Sequence, residues 1–220
     1  MWKRISIAGM SALLVGATFT SMVPAVAGAS DGTTACRGRL HSGTYEKVVV
    51  PKGAVCLSKG PIEIREGLWI RAGATFVLGS EESGWTTGTI GDGVHADHAA
   101  SVQIHFATIY GGIDIRGGSG PFGGPFDVTW NTIEDSYVHG GVAIVGYDGF
   151  WMGFIRNHTG QGAVKLRNNV LADPDGNEYV TNHIHGNLRC SGNSPAPQVG
   201  DSGGLRNHVS GRKVGQCADL

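Results

Sequence analysis

From Ser101 onward the chain alternates apolar and polar residues in short runs: Ser101 to Phe106, Phe126 to Trp130, Met152 to Arg156 and Glu178 to Thr181. A two-residue period over so few positions predicts strands with one buried face, not helices. After each run comes a glycine-bearing turn and a second apolar pair, in turn Ile113 and Ile115, Val142 and Ile144, Val164 and Leu166, Leu188 and Cys190. Four echoes punctuate the pattern: Asn131-Thr132-Ile133, Asn157-His158-Thr159, Asn182-His183-Ile184 and Asn207-His208-Val209. Their asparagines stand 26, 25 and 25 residues apart (131 to 157, 157 to 182, 182 to 207), with a weaker echo at Ala107-Thr108-Ile109. Two or three strands per period of this length predict one coil of a parallel β-helix. One coil cannot bury its apolar side; stacked coils share a continuous core. The expected fold is all-β, a single-domain right-handed parallel β-helix over residues 30–220 with disulfide-closed ends.

Stacking turns the repeat into columns. The asparagines are expected at one corner of successive coils, where their amides satisfy turn backbone. The column Ile109, Ile133, Thr159, Ile184, Val209 is expected in the core, and Thr108, Thr132, His158, His183, His208 beside it as a stacked or solvated ladder. Thr89 to Ala96 matches Thr108 to Ile115 residue for residue in pattern. If Ile113, Val142, Val164 and Leu188 face inward, then His95, Asp114, Ala143, Lys165 and Arg189 face out. Neighbouring strands lie about 4.8 Å apart, which makes Lys165 and Arg189 adjacent cations. A like charge nearby lowers a lysine pKa towards the range useful for catalysis; two solvated cations splaying apart is the plainer outcome.

The same alignment needs about five extra residues after Thr132. Glu134-Asp135-Ser136-Tyr137-Val138-His139 is therefore expected to be an inserted loop, and loops on a rigid stack are where function concentrates. Further loops are expected at Gly79 to Gly88, Gly117 to Pro125, Tyr147 to Phe150, Arg167 to Asn177 and Ser191 to Gly203. Ser30 to Tyr45 is expected to cap the amino-terminal end.

Composition adds the compartment. Residues 1–29 have the form of a secretory signal: Lys3 and Arg4, an apolar stretch from Ile5 to Val23, and Ala27-Gly28-Ala29 for cleavage, with Ala25-Val26-Ala27 as the near alternative. No other stretch reaches the roughly 20 apolar residues of a spanning helix, so no membrane association is expected once the signal is removed. The chain has 37 glycines and 16% charged residues, as suits frequent turns. Its 17 basic and 18 acidic residues argue against a nucleic-acid partner, although nine histidines would make it more cationic in acid. Four cysteines allow three pairings; the sequence-local one, Cys36–Cys56 with Cys190–Cys217, puts a bridge at each end. Stacked repeats need such closure. A zinc site lacks any C-x-x-C here.

A long, shallow solenoid face suits an extended polymer. Trp130 and Trp151 are candidate sugar platforms or half-buried packing, and Trp130 takes the place that Phe106 and Arg156 hold before their echoes. Glycan hydrolysis needs two carboxylates about 5 to 9.5 Å apart; Asp114, Asp127, Glu134 and Asp135 are the pool. β-Elimination on a uronate needs a base for the C5 proton, an acid for the leaving oxygen and a group that neutralises the carboxylate. Tyr137, His139, Lys165 and Arg189 suit those tasks, and Asp114 with the two tryptophans would line the groove. Asp173-Pro174-Asp175-Gly176-Asn177-Glu178 lacks EF-hand spacing and reads as an Asp/Gly turn. No metal or cofactor is expected, and no nucleotide loop, H-E-x-x-H or G-x-S-x-G motif occurs.

The repeated Thr-Ile-Gly-x-Gly-Val unit, the segment Gly186-Asn187-Leu188-Arg189-Cys190-Ser191-Gly192-Asn193-Ser194-Pro195-Ala196-Pro197 and the closing Gly215-Gln216-Cys217 resemble a group of small secreted actinobacterial β-helix proteins. Within that group the size, signal and loop departures look like the small streptomycete hyaluronidases, which are hyaluronate lyases. The resemblance implies a secreted protein that cleaves hyaluronan, an extended acidic polysaccharide, by elimination to unsaturated oligosaccharides; a monomer is expected. It carries no catalytic residue position by position. A non-catalytic glycan-binding module and a glycoside hydrolase are the alternatives.

Overall fold

The computed structural model describes residues 32–80, 87–119, 130–200 and 203–220, and of Trp130 the backbone alone. The expected signal at 1–29, Asp127, the run before Trp130 and parts of the loops at 79–88, 117–125 and 191–203 lie outside the described residues.

The chain winds as a parallel β-helix, and no helix occurs among the described residues. Successive strands join three parallel sheets in rotation. Sheet A has nine strands, sheet B seven and sheet C eight. One core runs the length of the stack, from Val48 and Leu68 through Val94, Ile113 and Val142 to Val164 and Leu188, all buried. These residues are one inward column of sheet A, each in register with the next. Each coil has short strands because the chain must turn three times to return to its own column, and the period-two pattern delivers one apolar side chain inward at every second residue.

The ends close as expected. Cys36–Cys56 lies at the first coils and Cys190–Cys217 at the last, with Cα–Cα separations of 5.6 and 5.2 Å. Each closed loop contributes about 3 kcal/mol in the chain-entropy model.

The asparagine corner is real over three of the four echoes. Asn157 Oδ1 accepts the Ser136 N–H, Asn182 Oδ1 that of Asn157, and Asn207 Oδ1 that of Asn182, at 3.1, 2.8 and 3.0 Å. Asn131 is not in this column. It lies in sheet B, faces inward opposite Met152, and accepts the Val102 N–H at 2.7 Å. The corner position in its coil belongs to Ser136, whose Oγ accepts the Ala107 N–H at 3.1 Å.

That correction moves a whole strand. Thr108 pairs with Tyr137 and Ile109 with Val138, not with Thr132 and Ile133. Glu134 to His139 is therefore no inserted loop: it is the end of strand Trp130–Glu134, a corner, and strand Tyr137–Val138. The extra length of this coil lies between Arg116 and Trp130, upstream of where local similarity puts it. Three-residue likeness to Asn157-His158-Thr159 is outweighed by burial: the true register seats Val138 in the core column between Ile109 and Thr159.

Candidate functional site

The corrected register creates a row of rings. Outward positions on sheet C run Thr44, Glu63, Thr89, Thr108, Tyr137, His158, His183, His208. In-register parallel strands place equivalent side chains one strand spacing apart, about 4.8 Å, which is the distance at which flat rings stack. Tyr137 and His158 lie parallel with centroids 5.5 Å apart, His158 and His183 follow at 4.7 Å, and His183 and His208 at 5.6 Å. The row extends onto the corner between sheets C and A. His139 sits 5.2 Å from Tyr137 and stacks on Tyr110 at 5.0 Å. Six rings thus form one continuous, exposed strip along the stack; Tyr110 is 59% and Tyr137 45% exposed. Burial among its neighbours lowers the pKa of His158, and the positive charges of His183 and His185 lower it further.

The corner that carries this strip is built from glycines. Gly111, Gly140, Gly162, Gly186 and Gly211 each press on the backbone of the preceding coil, so that a Cβ at any of them would collide with it. Close stacking at this corner holds Tyr110 and His139 beside the sheet C row.

Lys165 and Arg189 stand where the columns put them, adjacent and exposed on the outer face of sheet A. Ala143 precedes them in the column, and Asp114 precedes Ala143. Asp114 accepts from the Arg116 Nε at 3.0 and 2.9 Å. These cations are thus around the corner from Tyr137, on a different sheet face. At the amino-terminal end of the same column, Trp69 stacks on His95 at 5.3 Å, and the Lys47 ammonium lies 4.9 Å from the Trp69 centroid.

Trp130 and Trp151 are register neighbours on sheet B. Trp130 does not share the corner position of Phe106 and Arg156; Asp135 does, and all three have positive φ, of 54°, 53° and 49° respectively. Trp151 is half-buried and its ring lies over Gly153 of its own strand. Five outward residues of sheet B are buried: Gln103, His105, Thr132, Glu134 and Glu178. Glu134 lies 3.7 Å from His105 and 3.2 Å from the Arg156 guanidinium, and accepts from the Thr132 hydroxyl. Arg156 also holds Asp135 through two bonds of 2.8 Å. Two of the carboxylates considered for hydrolysis are therefore tied into a charge network across the B–C corner.

The Asp173 segment is a turn: Asp173 Oδ1 accepts the Asp175 N–H at 3.0 Å, and its carbonyl accepts from Gly176 at 2.9 Å. Among the described residues, no cluster of three or more His, Cys, Asp or Glu side chains is arranged to hold a metal ion.

Sequence reasoning missed the ring of Tyr110 and the burial of His105 with Glu134. It also missed a second amide ladder, in which Asn169, Asn193 and Gln216 accept the N–H groups of Tyr147, Asn169 and Asn193. The spacing of those three amides repeats the coil length and was a usable signal.

No family model, curated protein or solved structure matches the chain.

Proposed function

We propose that the protein is a secreted polysaccharide lyase that cleaves hyaluronan by β-elimination, with Tyr137 and His139 as the reacting pair. The observation that carries the reading is the exposed phenol of Tyr137 with the His139 imidazole 5.2 Å away, on a strip of rings that follows the stack axis. A neutral imidazole is a suitable base near neutral pH. His139 takes the C5 proton of the uronate. The electron pair of that C–H bond forms the C4–C5 double bond, the C4–O bond breaks, and the Tyr137 hydroxyl protonates the departing oxygen. The ring N–H of a neutral His158 beside Tyr137 hydrogen-bonds the uronate carboxylate. Lys165 and Arg189 hold the polymer where it passes onto sheet A.

Replacing Tyr137 by Phe removes the proton donor and keeps the ring in its stack. The expected result is loss of unsaturated product by at least a hundredfold, in line with the contribution of a positioned acid, with an unchanged unfolding midpoint. An unchanged rate would remove Tyr137 from the mechanism.

The second reading is a glycan-binding module without catalysis. It is favoured by the length of the strip, which continues through His183 and His208 beyond the two reacting residues. Retained binding with neither unsaturated product nor new reducing ends would select it.

A further inference from the structure

The rings of Tyr137, His158 and His183 are not sugar-stacking platforms. Tyr137 and His158 are parallel to within 1°, and His158 and His183 to within 5°. Their faces are turned along the stack and cover one another. What they present to solvent is a row of edges, and the edge of an imidazole carries ring nitrogens that donate or accept hydrogen bonds. The row therefore offers one hydrogen-bonding edge per coil, repeating at 4.7 to 5.6 Å.

Protonation changes what this row recognises. A neutral imidazole has one donor and one acceptor; an imidazolium has two donors and a positive charge. Unliganded, His158 resists that charge, first through burial and then through the fields of His183 and His185. The other ionisable groups around the row are Tyr137 and His139 at one end and His208 at the other. Arg156 and Asp135 stand at the B–C corner, paired with each other, and Arg206 precedes Asn207 at the same corner. An anion lying along the edges offsets the mutual repulsion of the rings, so binding and protonation reinforce each other.

We propose that the outward edges of His158, His183 and His208 form a pH-gated track for an extended anionic glycan, weakly held when the imidazoles are neutral and tightly held when they are charged. The proposal takes only the class of polymer from the lyase reading; it does not require cleavage. Adjacent imidazolium rings repel, so charge settles on alternate coils, about 9.6 Å apart at the usual strand spacing. That spacing fits a polymer with a carboxylate on every second sugar better than one with a carboxylate on each.

The test is the affinity for a hyaluronan decasaccharide at about pH 5 and about pH 7.5, either side of the ordinary imidazole value of about 6.5. It is measured by calorimetry on the unaltered chain and on Tyr137→Phe, so that loss of cleavage and loss of binding are read separately. Binding is expected to tighten at least tenfold at the lower pH in both proteins. The variant His158→Thr/His183→Thr/His208→Thr is expected to lose that ratio. Threonine fills the same column at Thr44, Thr89 and Thr108, so the substitution suits the coil; the single variant His208→Thr, with a reduced ratio, serves if the triple one does not fold. Carboxyl-reduced hyaluronan is expected to bind equally at both pH values, and an oligogalacturonate to bind more weakly than hyaluronan. Equal affinity for hyaluronan at both pH values would overturn the proposal. So would a tenfold ratio that survives the threonine substitutions or the reduction of the carboxyls. Equal binding of oligogalacturonate would overturn the alternate-coil spacing.

Discussion

The phenol ring of Tyr137 lies parallel to the imidazole of His158 in the next coil, with centroids 5.5 Å apart. The pairing places the only tyrosine of the sheet C column at the start of three consecutive histidines. Threonine occupies the preceding position, Thr108, so the coil itself has no need of the phenol. Tyr137→Thr should therefore change stability by no more than about 0.5 kcal/mol, as for exposed substitutions in general. It should abolish formation of unsaturated product. Urea titration and product absorbance on the same sample check the two halves.

Acid should weaken the fold in the absence of ligand. The pKa of His158 is lowered in the folded protein, so the unfolded chain binds its proton more readily. Its contribution to stability is complete above the unfolded value of about 6.5 and is lost as pH falls through the lower folded value. The urea midpoint should fall between about pH 7.5 and pH 5, and His158→Thr should flatten that dependence. A midpoint that rises on acidification would contradict the assignment.

Asn182 is the centre of the amide ladder. Its Oδ1 accepts the Asn157 N–H at 2.8 Å, and its Nδ2 donates to the Phe154 carbonyl at 2.7 Å and to Asn207 Oδ1 at 2.8 Å. The Ala variant would remove the acceptor of the Asn157 N–H and the side-chain donor to the Phe154 carbonyl, while Asn207 Oδ1 keeps only the Asn182 backbone N–H. At about 1–3 kcal/mol for each unsatisfied group, Asn182→Ala should cost about 3 kcal/mol. Chemical denaturation measures it, and a cost below about 1 kcal/mol would mean the ladder is dispensable.

The corner glycines should differ sharply from turn glycines. A Cβ at Gly111 would fall on the Asp92 carbonyl of the preceding coil, whereas Gly146 has a φ of +70° and nothing within 4 Å of its Cβ position. Gly111→Ala should cost about 3 kcal/mol through forced separation of coils, and Gly146→Ala about 1 to 2 kcal/mol through left-handed backbone strain. Unfolding midpoints of the two variants decide the order.

Much of the stack was legible because burial writes a two-residue period. The inward column Ile113, Val142, Val164, Leu188 and the outward column His95, Asp114, Ala143, Lys165, Arg189 follow from alternation alone. So do the end bridges, once the ends of a stack must be closed. The error at Asn131 has a physical cause: Asn-Thr-Ile suits two places, the corner and an inward polar site on sheet B. Only long-range pairing distinguishes them. Asn131 satisfies a buried Tyr147 hydroxyl instead of a turn, a contact between residues of different coils that no local pattern displays. The candidate site suffered most, because a register slip moves Tyr137 from an expected inserted loop to a sheet column. Tyr137 and His139 remain neighbours in either register, whereas Lys165 and Arg189 prove to occupy the adjoining face.

The measurement that bears most directly on the central claim is the ultraviolet absorbance of the purified protein mixed with hyaluronan, with chondroitin and pectate as parallel substrates. Elimination creates a double bond conjugated with the uronate carboxylate, and hydrolysis does not. The lyase account predicts a steady rise with hyaluronan that is lost in Tyr137→Phe. New reducing ends without any rise, or neither signal with any of the three polymers, would contradict it.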